Sequence, residues 1–160
     1  MSKKNFKTNA MRILDSLDIL YNEYTYDADK GHVDGVTAAQ KIGKSLEVVF
    51  KTLVTQGQSK SFYVFVIPVD ETLDMKKAAK VCGEKRVDMI NVKDINKITG
   101  YIRGGCSPIG MKKQFDTFIH ISAQKLDSIV VSAGKIGYQM ELSPNDLVKV
   151  TNAKFADIIE

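Results

Sequence analysis

Two rhythms of apolar residues run through the chain, separated by short polar breaks. Near the start, Met11, Leu14 and Leu17 recur at every third position, the step that lines one face of a helix. Residues 5–17 are therefore predicted as an amphipathic opening helix. Tyr24 and Tyr26 around Thr25 make a strand of 21–26. The polar stretch 27–35, with its glycines and an exposed His32, is expected as a loop. Thr37-Ala38-Ala39-Gln40 has the spacing of a capping box and is expected to open a short helix ending near Gly43.

The middle of the chain changes to strand patterning. Residues 51–55 and 62–67 are predicted strands, joined through Gln56-Gly57-Gln58-Ser59-Lys60 as a hairpin. Residues 62–67 are apolar at every position, as in a strand covered on both faces, and Pro68 ends them. Asp74 caps a helix over 75–82 that Gly83 stops. A short strand at 87–90 and a short helix at 94–99, closed by Gly100, follow. Residues 100–110 hold four glycines and Pro108, and are expected as an irregular loop. Strands at 115–121 and 128–132 flank a helical turn, and 134–137 links to a strand at 138–142. Ser143-Pro144 opens a short helix, and 152–158 is expected as a closing helix.

Strands outnumber long helices, and several are hairpin-connected. The expected class is α/β in the broad sense: an α+β domain on a mixed or largely antiparallel sheet, not a doubly wound one. No repeat, low-complexity segment or linker interrupts the 160 residues, so 1–160 are expected to form a single domain.

One stretch departs from this patterning. Val48-Val49-Phe50-Lys51-Thr52-Leu53-Val54 places a cation inside an apolar run. Strand alternation puts Lys51 on the face of Val49 and Leu53. Such a lysine either guards a sheet edge against aggregation or meets an anion at the mouth of a pocket.

Composition changes this picture little. Hydrophobic residues make up 44% and charged residues 26%, the balance of an ordinary globular chain. No apolar run reaches membrane-spanning length, and residues 1–7 lack the apolar core of a signal peptide. Cys82 and Cys106 are expected as free thiols in a reducing cytoplasm. The scattered cysteines and histidines form no zinc signature, so neither metal nor cofactor is expected. Net charge is +4, from 23 basic against 19 acidic residues, compatible with a polyanionic partner without requiring one. Lys76-Lys77 and Lys112-Lys113 are candidates for phosphate contact.

Candidate chemistry concentrates in two glycine-containing turns. In 100–110, the Gly104-Gly105 pair lets the backbone approach a ligand closely, or simply makes a tight turn; no phosphate-loop or dinucleotide spacing is present. Ser132-Ala133-Gly134-Lys135 places a hydroxyl at a strand end, to bond into a cleft or to cap a turn. Cys106 lacks the surroundings of a cysteine hydrolase and reads as a small apolar filler. His120, in Thr-Phe-Ile-His-Ile, reads as a satisfied strand histidine.

In combination these pieces carry a resemblance. Phe50-Lys51-Thr52-Leu53, Leu73-Asp74-Met75-Lys76-Lys77-Ala78-Ala79-Lys80, Thr99-Gly100-Tyr101 with Gly104-Gly105-Cys106-Ser107-Pro108-Ile109-Gly110, Val131-Ser132-Ala133-Gly134-Lys135, and Asp146-Leu147 with Ala153-Lys154-Phe155-Ala156-Asp157-Ile158 occur in that order. The set resembles the YbaK/EbsC family of Cys-tRNA(Pro) deacylases, relatives of the editing domain inserted in bacterial prolyl-tRNA synthetases, over residues 9–158. The resemblance implies a mixed sheet partly rolled into a barrel, helices around it, and the site in a cleft. It implies a cytoplasmic, free-standing editing enzyme that removes cysteine wrongly attached to tRNA(Pro), extending to Cys-tRNA(Cys). Selectivity for that tRNA would come from a complex with prolyl-tRNA synthetase. The need is physical: cysteine and proline are close in volume, so a synthetase pocket rejects cysteine poorly.

By this resemblance Lys51 contacts the 3′-terminal adenosine of the tRNA, Gly104 positions substrate, and Ser132 completes the expected catalytic positions. Tyr26, Gly105, Gly134 and Gln139 are the expected substrate-binding positions. Gln139 stands where many relatives carry an aspartate, and Cys106 where they often carry an aliphatic residue. Two routes are open: water attack with backbone donors stabilising the oxyanion, or attack by the substrate's own thiol to release a thiolactone. The alternatives are a deacylase for alanine or another small amino acid, a non-catalytic tRNA- or synthetase-binding module, and a thiol hydrolase using Cys106.

Overall fold

The computed structural model describes residues 6–28 and 33–160; the expectation for His32 lies outside them. In chain order the elements are α1 (Asn9–Ser16), β1 (Asn22–Thr25), α2 (Gly35–Ile42), β2 (Phe50–Gly57), β3 (Phe62–Pro68), α3 (Met75–Cys82) and β4 (Val87–Met89). A 3-10 turn (Val92–Asp94) leads into α4 (Ile95–Thr99), followed by β5 (Asp116–His120) and a second 3-10 turn (Ile121–Lys125). The chain closes with β6 (Ile129–Lys135), β7 (Tyr138–Leu142), α5 (Pro144–Thr151) and β8 (Lys154–Ala156).

The strands form two sheets. The larger has the order β4-β2-β3-β5-β8, antiparallel from β4 to β3 and parallel from β3 to β8. The smaller, β1-β7-β6, is antiparallel throughout. They meet at a parallel bridge between Val49 and Val130, where the Val130 N–H donates to the Val48 carbonyl at 2.8 Å. This is the mixed α+β class expected.

Burial follows the alternation of side chains. Phe50, Val54, Val64 and Ile119 of the larger sheet pack against Ile129, Val131, Met140 and Leu142 of the smaller, with Met11 and Leu14 of α1. The opposite face of the larger sheet presents Phe65, Ile67 and Phe118 to Ala78 and Ala79 of α3. β3 therefore has apolar neighbours on both faces, which is why its sequence does not alternate. α2 lies across the junction of the sheets, its Ala39 packing with Val49, Val69 and Val130.

Four expectations change. α1 is shorter than 5–17: the Thr8 hydroxyl caps it, accepting from the Met11 N–H at 3.1 Å. Leu17 falls past its end and is 53% exposed. α2 begins before the predicted capping box, because the Asp34 carboxylate accepts from the Thr37 N–H at 2.8 Å and starts the helix earlier. β6 runs on to Lys135 through a register shift after Ser132. Residues 152–158 are not helical. Asn152 ends α5 in the left-handed conformation, and Lys154–Ala156 pair in parallel with Phe118–His120.

Candidate active site

A cleft of about 720 Å³ opens where β2 lacks neighbours on one edge. β3 pairs with nearly all of β2, whereas β4 covers the other edge only from Thr55 to Gly57, and β6 only at the Val49–Val130 bridge. On that open edge the Val54 carbonyl accepts from the Ile90 N–H at 3.2 Å. Two residues earlier, strand alternation turns the N–H and C=O of Thr52 to the same side, toward the cleft. The walls are the first turn of α2, Met89 and Ile90, Val92 and Ile95, Arg103 and Gly104 of the glycine loop, and Ser132 and Gln139 of the smaller sheet.

Five of the residues singled out in the sequence line this cleft: Tyr26, Lys51, Gly104, Ser132 and Gln139. Lys51 is half-buried and makes no hydrogen bond or ion pair with any described residue. Burial lowers its pKa, and the charges of Asp70 and Glu71 work in the opposite direction. The Ser132 Oγ accepts from the Gly134 N–H at 3.1 Å, leaving its own proton free to donate. Gln139 lies in register between Tyr24 and Ser132, is 8% exposed, and its Oε1 has no partner. The Thr52 Oγ1 is also buried without a partner. A cation and two polar atoms are thus held without partners on an otherwise apolar floor, at a cost that a polar ligand would offset.

Gly105 and Gly134, expected to bind substrate, are not in the lining; they hold the seam behind it. A Cβ on Gly105 would lie 2.9 Å from the Ile136 backbone nitrogen, and one on Gly134 would lie 2.8 Å from the Tyr101 ring. Gly134 also has φ +99°, in the bulge after Ser132. The Tyr101 hydroxyl donates to the Ile109 carbonyl and closes the glycine loop on itself. These contacts fix the height at which Gly104 and Ser132 face the cleft.

Residues 32–150 match the aminoacyl-tRNA editing domain family. The chain is 46% identical over 160 residues to a protein of Enterococcus faecalis that carries the provisional name Cys-tRNA(Pro)/Cys-tRNA(Cys) deacylase EbsC, covering 99% of this chain and 98% of that one. This chain belongs to the aminoacyl-tRNA editing domain family. It is also 26% identical over 117 residues to YwhH of Bacillus subtilis, 73% of this chain and 74% of that one. In fold it is similar to a crystal structure provisionally described as a trans-editing enzyme for prolyl-tRNA synthetase. That match has TM-score 0.80 and 20% identity, over 97% of this chain and 99% of that one.

Other members of this cleft were not singled out by sequence. Thr52 escaped because alternation assigns it to the face opposite Lys51, and only the missing neighbour on β2 lets one cleft reach both. Arg103 sat within the glycine loop with nothing to mark it. Cys106, read as filler, does enter the lining, but burial pushes its thiol up to about 11, so it stays protonated at neutral pH. His120 does not line the cleft. It is buried on β5, and its Nδ1 accepts from the Ile158 N–H at 3.3 Å. Lys77 of the basic clusters is engaged by Asp157 and the Ile159 carbonyl. Among the described residues no group of three or more His, Cys, Asp or Glu side chains could hold a metal ion, and no helix is long and apolar enough to cross a membrane.

Proposed function

We propose that residues 1–160 form a single domain that acts as a deacylase, removing cysteine from mischarged tRNA(Pro), and from tRNA(Cys), through the substrate's own thiol. One observation carries this reading: among the described residues the cleft gathers donors and presents no general base. No described histidine lines it, its Asp34 carboxylate is drawn into capping α2, and the Cys106 thiol is protonated. Catalysis by orientation needs no base from the protein.

In this reading Lys51 holds the terminal adenosine, and the ester carbonyl faces the Thr52 N–H and the Ser132 hydroxyl. The cysteinyl sulfur attacks its own carbonyl carbon. The S–C bond forms as the bond to the ribose oxygen breaks, and the thiol proton passes to that oxygen. The products are a four-membered thiolactone and tRNA with a free terminal hydroxyl. Alanine and proline lack the thiol, so discrimination is chemical as well as steric. The provisional name of the Enterococcus faecalis relative supports the substrate. That of the structural relative supports prolyl-tRNA synthetase as the partner that supplies tRNA(Pro), in the cytoplasm where charging occurs.

A deacylation panel with Cys-, Ala- and Pro-tRNA(Pro) tests this. Cys-tRNA(Pro) is expected to be cleared fastest, with thiolactone preceding free cysteine. Free cysteine alone at early times would exclude cyclisation, and equal clearance of the alanyl ester would move the assignment to small amino acids in general.

A further inference from the structure

A second groove, of about 540 Å³, lies beyond the editing cleft and has no part in the chemistry above. The two concavities share Met89 and Ile90, which form the ridge between them. The groove is lined by the hairpin end of β2–β3, by β4 and by α4. It presents three cations, Lys60, Arg86 and Lys97, against two carboxylates, Asp88 and Asp94, beside the amides of Gln58 and Asn91. Lys112 reaches the same corner, its Nζ donating to the Lys97 carbonyl at 3.2 Å.

We propose that this groove carries the single-stranded tail of the tRNA, the two cytidines that precede the terminal adenosine. The inference rests on the reading of the cleft as an aminoacyl-tRNA site. A nucleotide held at Lys51 must trail its strand out of the cleft, and the two ends of β2 differ in charge. Beyond the Phe50–Pro68 end stand Asp70 and Glu71, which would repel a phosphate. Toward the hairpin end Lys60, Arg86, Lys97 and Lys112 outnumber Asp88 and Asp94, so the balance there is positive. Gln56 lies five residues from Lys51, about 17 Å along a strand, so the strand must run a short way past its terminal nucleotide to reach the groove.

The chemistry on this path suits a polynucleotide. Met89 is 48% exposed on the ridge and Val92, 54% exposed, lies on its cleft side, which gives apolar surface where a base would stack. Among the described residues Arg86 pairs with the exposed Asp88 at 3.2 Å, and the exposed Lys97 pairs with the half-buried Asp94 at 3.8 Å. Pairs in which the cation stays in water are weak, so a phosphate can replace the carboxylate. Gln58 and Asn91 offer both donors and acceptors to base edges.

The test is equilibrium binding of a labelled, uncharged CCA trinucleotide and of adenosine 5′-monophosphate to the full chain and to a Lys60→Ala/Arg86→Ala/Lys97→Ala variant. Deacylation of cysteinyl-CCA and of cysteinyl-adenosine is measured in parallel. The variant is expected to bind CCA about ten-fold or more weakly and to lose part of the salt dependence, by about 0.7 per phosphate contact in log–log slope. Its affinity for the mononucleotide and its turnover of cysteinyl-adenosine should be unchanged. Equal CCA affinity in the two proteins, or an equal loss for both ligands, overturns the proposal. If wild type binds CCA through these residues but deacylates neither ester, the deacylase reading falls and the groove assignment stands.

Discussion

Lys51 stands half out of water with no carboxylate in contact, a position that lowers its affinity for a proton. The folded chain therefore binds fewer protons than the unfolded one between the lowered pKa and the ordinary lysine value. This group's contribution to stability rises with pH through that window, and at neutral pH its penalty is fully present. Lys51→Met should accordingly melt at or above the wild-type temperature at pH 7 while kcat/KM for the cysteinyl ester falls about 10²-fold, the scale of losing one hydrogen bond from a charged group to the substrate. Paired thermal melts and deacylation assays check it; a variant that is both less stable and fully active would mean the lysine is structural. The sequence made Lys51 conspicuous because a cation interrupted an apolar run. Thr52 and Gln139 carried no such mark, since their interest lies in unmade hydrogen bonds.

Elements whose ends are set by neighbouring residues were legible, and those defined by distant pairing were not. The helix at Met75–Cys82 matches its sequence reading because Asp74 and Gly83 act within one turn. The β2–β3 hairpin matches for the same reason. β8 was misread as helix because its partner, β5, lies more than thirty residues earlier, and no local spacing announces a parallel pairing. What holds β8 and the segment after it also makes them sensitive to acid. His120 accepts the Ile158 N–H through Nδ1, and burial lowers its pKa, with Asp157 and Glu71 opposing that shift and Lys77 reinforcing it. The unfolded chain binds the proton first as pH falls below about 6.5, so stability is full above that value and declines beneath it. Urea midpoints measured from pH 7.5 to 5 should fall for wild type. His120→Gln should start lower at pH 7.5 and decline less. Parallel curves for the two proteins would remove His120 from the acid response.

At the scale of the molecule, the cleft lies near the line where two sheets share a core, and α2 is laid across that line. The strands and mixed class could be read from patterning, but not their division into two sheets, because the Val49–Val130 bridge is a single contact without a sequence period. The far end of α2 is tied to the smaller sheet by Glu141. Its carboxylate accepts from the Tyr24 hydroxyl at 2.7 Å and the Ser128 hydroxyl at 2.6 Å, and pairs with Lys44 at 3.4 Å, just past the helix. Burial pushes the Glu141 pKa up, but the hydrogen bonds from Ser128, Tyr24 and Asn22 and the Lys44 charge outweigh it and hold the pKa below the ordinary value. Its contribution is therefore present above the ordinary carboxylate range and lost as pH falls through the lowered pKa. Glu141→Ala leaves two hydroxyls and an ammonium without their acceptor, a loss of about 1–3 kcal/mol and about 2–4 °C of Tm per kcal/mol. Because the first turn of α2 lines the cleft, loosening its anchor should raise KM for aminoacyl-tRNA more than it lowers kcat. Calorimetry at pH 7 and pH 3 should show the gap between wild type and variant narrowing in acid. A gap that persists at pH 3 would place the effect in packing, not in the carboxylate.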